Sequence, residues 1–328
     1  MKSMIKKLIC LALRKFIKHA DDVRHYKNYL NFRLYSKTSL REKIILVDYS
    51  DVAFGLADRL IGIMSLFMLA KEKGRSLKIH HTCEFLLQDY LIPNKTDWII
   101  NPNDIAYGIN EARPLISVVS RHKLKTLGLP ELSEKIVQYH AYTNHDFREF
   151  VNSEQLRKYD RHILFHELFS PSPRLEEMIV QAQRTIGHEQ YVAVHFRFMN
   201  FFEPVEKGAS ASDVATAEQQ LEMIKNCKEH LKEIHKQYPN NYILLFTDSQ
   251  KFANEPFEPY VKTLPGCIGH VASVQHNKKE IVDKTFLDLM MMTKATCVIN
   301  VIGASLRRSG FSRFAAEIGG IPFITNQL

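Results

Sequence analysis

In the C-terminal half of the chain, four short apolar runs each follow a stretch with helical periodicity, and this alternation constrains the fold more than any other feature. A helix predicted over Arg174–Ile186 precedes the run Tyr191–Phe196. One predicted from about Asp213 to Tyr238, capped by Ser210 or Ser212, precedes Tyr242–Asp248. A third, Lys279–Thr293, precedes Cys297–Asn300, and a fourth, Ser312–Ile318, precedes Ile321–Ile324. Returning over a helix brings the chain back to the edge it left, so strands joined this way run parallel. Open sheets of that kind bind their ligands at the carboxyl ends of the strands.

The same pattern begins earlier. Lys43–Asp48 is a β-branched run, and a loop over Tyr49–Gly55 follows it. From Ala57, the residues Leu60, Ile61, Met64, Phe67, Met68 and Leu69 recur at helical spacing until Gly74, and Ser76–Ile79 reads as a second strand. A right-handed crossover puts Gly55 at the carboxyl edge of this sheet. Helices are expected near Leu132–Val137 and Asn152–Lys158. The stretch Ser170-Pro171-Ser172-Pro173 can continue neither a helix nor a central strand. It marks the expected boundary between a domain over 44–170 and one over 171–328, with 1–43 as a separate arm.

Charge sets that arm apart. The whole chain carries +8, but residues 1–43 hold twelve Lys or Arg against Asp21, Asp22 and Glu42, which leaves −1 on the other 285 residues. A near-neutral body is not a nucleic-acid surface. Within the arm, residues 4–20 form an amphipathic pattern with Leu8, Ile9, Leu13 and Phe16 on one arc and Lys6, Lys7, Arg14, Lys15 and Lys18 opposite. The uncharged run Leu8–Leu13 is too short to span a membrane, which takes about 20 residues, and no small-residue cleavage site follows it. Two readings stay open: a helix resting peripherally on the anionic inner face of the cytoplasmic membrane, and a helix docked on its own core. Cys10, Cys83, Cys227, Cys267 and Cys297 are odd in number and scattered, as expected of reduced thiols in a cytoplasmic protein.

Three groups of residues stand at the carboxyl ends of consecutive predicted strands. His195 and Arg197 share one strand face, and the planar donors of Arg197 suit the oxygens of a diphosphate. Asp248, followed by Ser249, can accept from the N–H donors of a nucleobase, although Asp-Ser after a strand is also ordinary turn chemistry. Arg308, Ser309, Gly310, Phe311 and Ser312 precede or open a helix, where free amides, hydroxyls and guanidinium charge converge on an anion. No Gly-Lys-Ser/Thr phosphate loop, Gly-x-Gly-x-x-Gly turn, Gly-x-Ser-x-Gly elbow or Asp-x-Asp occurs. His80, His81, His140 and His145 lack the spacing of a helical zinc pair and are expected to be exposed loop residues. Met290–Met292 is expected to be core.

These motifs, in this order, resemble the GT-B glycosyltransferases of the α-1,2/α-1,6/protein-O-fucosyltransferase group, including the nodulation fucosyltransferases. The likeness runs through Phe54-Gly55-Leu56-Ala57-Asp58-Arg59-Leu60, Val194-His195-Phe196-Arg197, Phe246-Thr247-Asp248-Ser249, and Lys284–Leu289 running into Ser309–Arg313. Phe198 stands where α-1,6 members carry a second Arg, and Ala57 and Asp58 stand where Gly and Asn are usual. The resemblance implies an α/β GT-B fold, with two Rossmann-like domains whose mainly parallel sheets face each other across a cleft. It implies transfer of L-fucose from GDP-fucose to a glycan or glycolipid hydroxyl in surface polysaccharide synthesis, with inversion and without a metal or other cofactor. Donor contacts would come from Gly55, Asp58, Arg59, His195, Asp248, Ser249 and the 308–312 segment. Arg197 would stabilise the leaving diphosphate, and Glu203 or Glu206 would serve as base. Transfer from another nucleotide sugar, or nucleotide-sugar binding without catalysis, would use the same residues.

Overall fold

The computed structural model describes residues 40–328 apart from 51–53, 109, 116–117, 119–120, 151–153, 188–189, 205–209, 211–212, 272–277 and 304. The basic arm with its 4–20 pattern, Ser212 and Glu206 therefore lie outside the described residues. In chain order the elements are β1 (Ile44–Tyr49), α1 (Leu56–Glu72), β2 (Ser76–His81), β3 (Leu91–Pro93), β4 (Ala112–Pro114), α2 (Arg121–Leu127), β5 (Gln138–Ala141), α3 (Phe147–Phe150), α4 (Glu154–Arg157), α5 (Arg161–Leu168) and β6 (Phe169–Pro171). There follow α6 (Pro173–Ile186), β7 (Tyr191–Phe196), α7 (Ala217–Gln237), β8 (Tyr242–Thr247), α8 (Gln250–Ala253), β9 (Val261–Thr263), α9 (Lys278–Met292), β10 (Val298–Ile302), α10 (Gly310–Gly319) and β11 (Phe323–Gln327). They form two units, one of residues 40–50, 58–83 and 93–160, the other of 54–57, 84–92 and 161–328.

The first unit is built on a parallel sheet in the order β2-β1-β5-β4. Its central strand β1 is apolar enough to be buried on both faces, and each large side chain it removes from water contributes about 1.5–3 kcal/mol. α1 lays Leu60, Ile63, Met64 and Phe67 against this core. It approaches so closely at Gly62 that a Cβ there would meet the Thr143 carbonyl oxygen at 1.6 Å. The helix ends as its sequence predicts. Gly74 turns left-handed at φ +59, and the Arg75 amide reaches back to the Ala70 carbonyl.

Two expectations are corrected here, and a third is met in part. No helix forms over Leu132–Val137: after the single turn in which the Ile136 amide donates to the Ser133 carbonyl, the Val137 carbonyl accepts the Ile44 amide, and the buried Arg75 guanidinium donates to the carbonyls of Ser133, Ile136 and Val137. His80, His81 and His140 are not loop residues: they lie on β2 and β5, and His81 and His140 are buried. The helix expected over Asn152–Lys158 is described from Glu154 to Arg157.

The second unit carries a five-stranded parallel sheet in the order β11-β10-β7-β8-β9. β7 alternates: Val192, Val194 and Phe196 enter a core shared with Met223, Ile224 and Cys227 of α7, while Tyr191 faces α9 and donates to the Met291 carbonyl at 2.6 Å. Met290–Met292 are buried, as a core reading requires. α7 starts later than expected. Thr216 caps it, in a reciprocal capping box with Gln219, while the Ser210 hydroxyl bonds the Asp213 carboxylate.

The segment 84–92 joins this unit through its side chains. The Tyr90 ring stacks on Phe286 at 4.2 Å and its hydroxyl donates to Asp283, while the Ser172 hydroxyl donates to the Asp89 carbonyl at 2.7 Å and caps α6. The Ser170–Pro173 stretch thus lies inside the second unit. Among the described residues, Cys83, Cys227, Cys267 and Cys297 are free thiols, and no helix is long and apolar enough to cross a membrane.

Candidate nucleotide-binding edge of the second unit

The residues singled out in the C-terminal half gather where β7, β8 and β10 end. Arg197 is the first residue beyond β7. It is half-buried, and its carbonyl accepts the Arg307 amide at 3.0 Å, which ties the loop after β7 to the loop after β10. Phe198 turns away from it into the core, stacked against Phe196 and edge-on to Phe202 and Phe252. The chain then takes a left-handed conformation at Met199, φ 56, which costs a non-glycine residue about 1–2 kcal/mol.

Asp248 offsets that strain. Its two carboxylate oxygens accept the amides of Phe198 at 2.7 Å and of Met199 at 2.9 Å. Burial raises its pKa to about 6 in spite of those amides and the nearby Arg197 charge. Asp248 was expected to meet a nucleobase; the task the structure gives it is to hold the turn that follows Arg197.

His195 points to the α9 side of the sheet and is 6% exposed. Burial, reinforced by the positive charges of Arg197 and Lys284, pushes its imidazole down to about 3, so the ring is neutral at physiological pH. Its Nδ1 is buried without a hydrogen-bond partner. Polar atoms so placed are uncommon in folded proteins. The rim of the ring lies toward Phe311, with centroids 6.5 Å apart.

The start of α10 is fixed by a residue the sequence did not single out. Asn300, paired in register with His195, is fully buried. Its amide donates to the His195 carbonyl at 3.3 Å and its oxygen accepts the Ser309 amide at 3.0 Å. Ser309 caps α10 by accepting the Ser312 amide at 3.4 Å, and the Ser312 hydroxyl returns to the Ser309 carbonyl. Both hydroxyls are therefore structural. Arg308 and Gly310 are exposed, and a Cβ added at Gly310 would meet nothing within 4 Å. The helix thus opens toward free space with its amide end leading.

Other expected site residues have internal duties. Ser249 is 1% exposed, caps α8 and donates to Glu203 at 3.1 Å. The second oxygen of Glu203 accepts the Lys251 amide at 3.2 Å, so this carboxylate is engaged at the start of α8. Arg59 is fully buried in the first unit, where one guanidinium nitrogen lies 3.1 Å from His81 Nε2 and donates to the Cys83 carbonyl at 3.0 Å. Asp58 is exposed in the first turn of α1, and Gly55 is half-buried just ahead of it. A buried ion pair, Lys284 with Asp288 one turn later on α9, also escaped the sequence reading, which valued those residues only as part of a motif. Among the described residues, no three His, Cys, Asp or Glu side chains come together as a metal site.

No protein-family model and no curated protein matches the chain. Among solved structures it is similar to the fucosyltransferase NodZ from Bradyrhizobium, at 15% identity and a TM-score of 0.53, over 84% of this chain and 92% of that one. A NodZ α-1,6-fucosyltransferase structure soaked with GDP-fucose matches at 14% identity and 0.53, over 85% and 93%. A mutant of Arabidopsis thaliana FUT1 in complex with GDP matches at 10% and 0.51, over 91% and 73%. At such identities the likeness speaks for architecture, and on that evidence the chain has the α/β GT-B fold of these fucosyltransferases.

Proposed function

We propose that the chain is an inverting glycosyltransferase that moves L-fucose from GDP-fucose to a hydroxyl of a glycan or glycolipid acceptor without a metal. The reading is supported by the shared fold, since structures with that fold hold GDP or GDP-fucose. The observation that carries it is local. At one sheet edge, Asn300 joins a neutral His195 with an unpartnered buried nitrogen to the amide end of α10, and the Arg197 carbonyl accepts the Arg307 amide from the loop that leads into that helix.

That arrangement suits a leaving nucleoside diphosphate. As the bond from the sugar C1 to the phosphate oxygen breaks, negative charge grows on the diphosphate, and a preorganised guanidinium and helix amides stabilise it without reorganising. Arg197 supplies the guanidinium, Arg308 adds charge at the rim, and the first turn of α10 supplies amides. His195, being neutral, offers its ring to the base end without adding charge repulsion or attraction. We assign the donor to the 171–328 region and the acceptor to 44–170. A peripheral contact of residues 4–20 with an anionic leaflet, in surface polysaccharide or glycolipid synthesis, completes the reading.

Thermal-shift titration with GDP, UDP and CMP tests it. A ligand that binds only the native state raises Tm, by an amount equivalent to about 2.7 kcal/mol at a hundredfold excess over Kd. GDP alone should do so, and a response to UDP instead would redirect the donor. Hydrolysis of GDP-fucose without acceptor separates an enzyme from a silent binder, a distinction that the Phe198 replacement makes worth drawing.

A further inference from the structure

The second unit carries a pocket of about 200 Å³ beside β9, the edge strand of its sheet, and residues 228–232 of α7 form the opposite wall. β9 runs along the first half of β8: Val261 is paired with Ile243, whose amide donates to the Tyr260 carbonyl at 2.8 Å. Asp248 follows the other end of β8, roughly 16 Å from Ile243 at the rise of a strand. The pocket thus sits toward the amino end of β8 and not at the carboxyl edge that gathers Arg197, His195 and the start of α10.

Its walls are apolar and fixed from behind. Leu231 belongs to the buried core, and Phe257, Tyr260 and Val261 pack against that core while keeping part of their surface exposed. Phe257 meets the fully buried Phe252 edge-on, with centroids 5.4 Å apart, and the Tyr260 ring lies flat on His235 at 3.8 Å. Rings held in this way present a preformed surface to a ligand.

Charged side chains surround the opening, and their charges balance. Lys228 donates to Glu255 at 2.9 Å and stands 5.5 Å from the Phe257 centroid, while Lys232 lies 4.0 Å from Glu258. Lys232 and Glu258 are each 54% exposed, so this pair adds little to stability and its groups are open to a ligand.

That combination narrows the occupant. Two ammonium groups against two carboxylates favour neither an anion nor a cation, and a wholly apolar ligand would take water from these charges without replacing its hydrogen bonds. A neutral sugar ring satisfies both parts of the site. Its C–H groups carry slight positive charge and rest on the negative faces of aromatic rings, while its hydroxyls donate to carboxylate and accept from ammonium. The volume falls below the roughly 300–1,000 Å³ of pockets for drug-sized ligands, which suits one such ring. We propose that this pocket binds one sugar unit of a glycan chain, as a subsite separate from the GDP site; the choice of a glycan rests in part on the transferase reading above.

Saturation-transfer NMR on the full chain tests this, with glucose, galactose, mannose, N-acetylglucosamine, maltotriose and cellotriose as probes and GDP as competitor. Expected is a signal from at least one saccharide, strongest at the C–H protons of one ring face and unchanged by excess GDP. It should be lost in Tyr260→Ala and kept in Tyr260→Phe. Glu258→Gln, a change at an exposed side chain, should keep the melting transition and weaken binding by about fivefold or more as a charged acceptor is lost; it decides the matter if Tyr260→Ala fails to fold. The proposal is overturned if no probe gives a signal, if GDP displaces the saccharide, or if the folded variants bind as the wild type does. A wild type whose Tm rises with GDP but which binds no saccharide overturns this subsite alone. One that binds saccharide here and is indifferent to GDP overturns the transferase reading and leaves the subsite standing.

Discussion

The two parallel sheets end in different chemistry. At the edge of the second unit the polar side chains bind backbone: Asp248 holds the amides of Phe198 and Met199, Asn300 holds Ser309 and the His195 carbonyl, and Ser309 caps α10. In the first unit they bind one another as well as backbone: Asp48 lies 3.2 Å from His80 and accepts the Ser50 amide, and Gln138, at the start of β5, lies 3.1 Å from His140 and binds the Ala106 amide and the Asp104 carbonyl. Backbone clamps fix the course of loops, whereas side-chain pairs fix ring and carboxyl orientations on neighbouring strands.

The comparison can be broken most forcefully at Arg197. Arg197→Ala should lower turnover of GDP-fucose by about a hundredfold or more, with a Tm within a few degrees of wild type by circular dichroism. Asn300→Ala should act on both fold and binding. It leaves the Ser309 amide and the His195 carbonyl short of a buried partner, at a cost of about 1–3 kcal/mol in urea denaturation, with roughly tenfold weaker GDP binding.

A subtler change separates the two roles of charge at this edge. Asp248 has a folded pKa of about 6, above the ordinary 3.8, so it favours the folded state in acid and loses that contribution as pH rises through about 6. His195 acts oppositely: with a folded pKa of about 3 against 6.5, its contribution is present above about 6.5 and is lost as pH falls toward 3. Between about pH 4 and 6 the two offset each other. In Asp248→Asn the stability should therefore decline more steeply with acidification over that window, as read from urea midpoints. GDP affinity at neutral pH should fall too, because one amide oxygen cannot serve both backbone donors.

The smallest effect expected is that of Gly310→Ala. The added methyl meets no protein atom, so Tm should hold or rise slightly. If a diphosphate occupies the space before α10, GDP affinity should still drop by about fivefold, roughly 1 kcal/mol.

Much of the second edge was legible because its residues are contiguous in short motifs after strong strands. His195-Phe196-Arg197 and Ser309–Ser312 announce themselves by alternation and by the cap that opens a helix. What stayed hidden was the partner of each group. Asn300 looked like the end of a strand because its bond to the His195 carbonyl spans 105 residues, and Ser249, Glu203 and Asp248 looked available because their bonds span 46–50; such separations leave no local pattern. The Asp48–His80–His140 cluster was invisible for a stronger version of the same reason. Its members lie on three strands up to 92 residues apart, and β5, Gln138–Ala141, is too short and mixed to read as a strand at all. Arg75 shows the converse error, since its buried guanidinium and the Ile44 amide take up carbonyls of the apparent helix at Leu132–Val137, which is a single turn that leads into β5.

Calorimetric titration of GDP into the wild type and into Arg197→Ala tests the central claim most directly. The account predicts one saturable GDP site in the wild type, no comparable heat with UDP or CMP, and loss of that site in the variant while its melting transition persists. Wild-type binding that survives unchanged in Arg197→Ala, or a wild type indifferent to GDP, would contradict it.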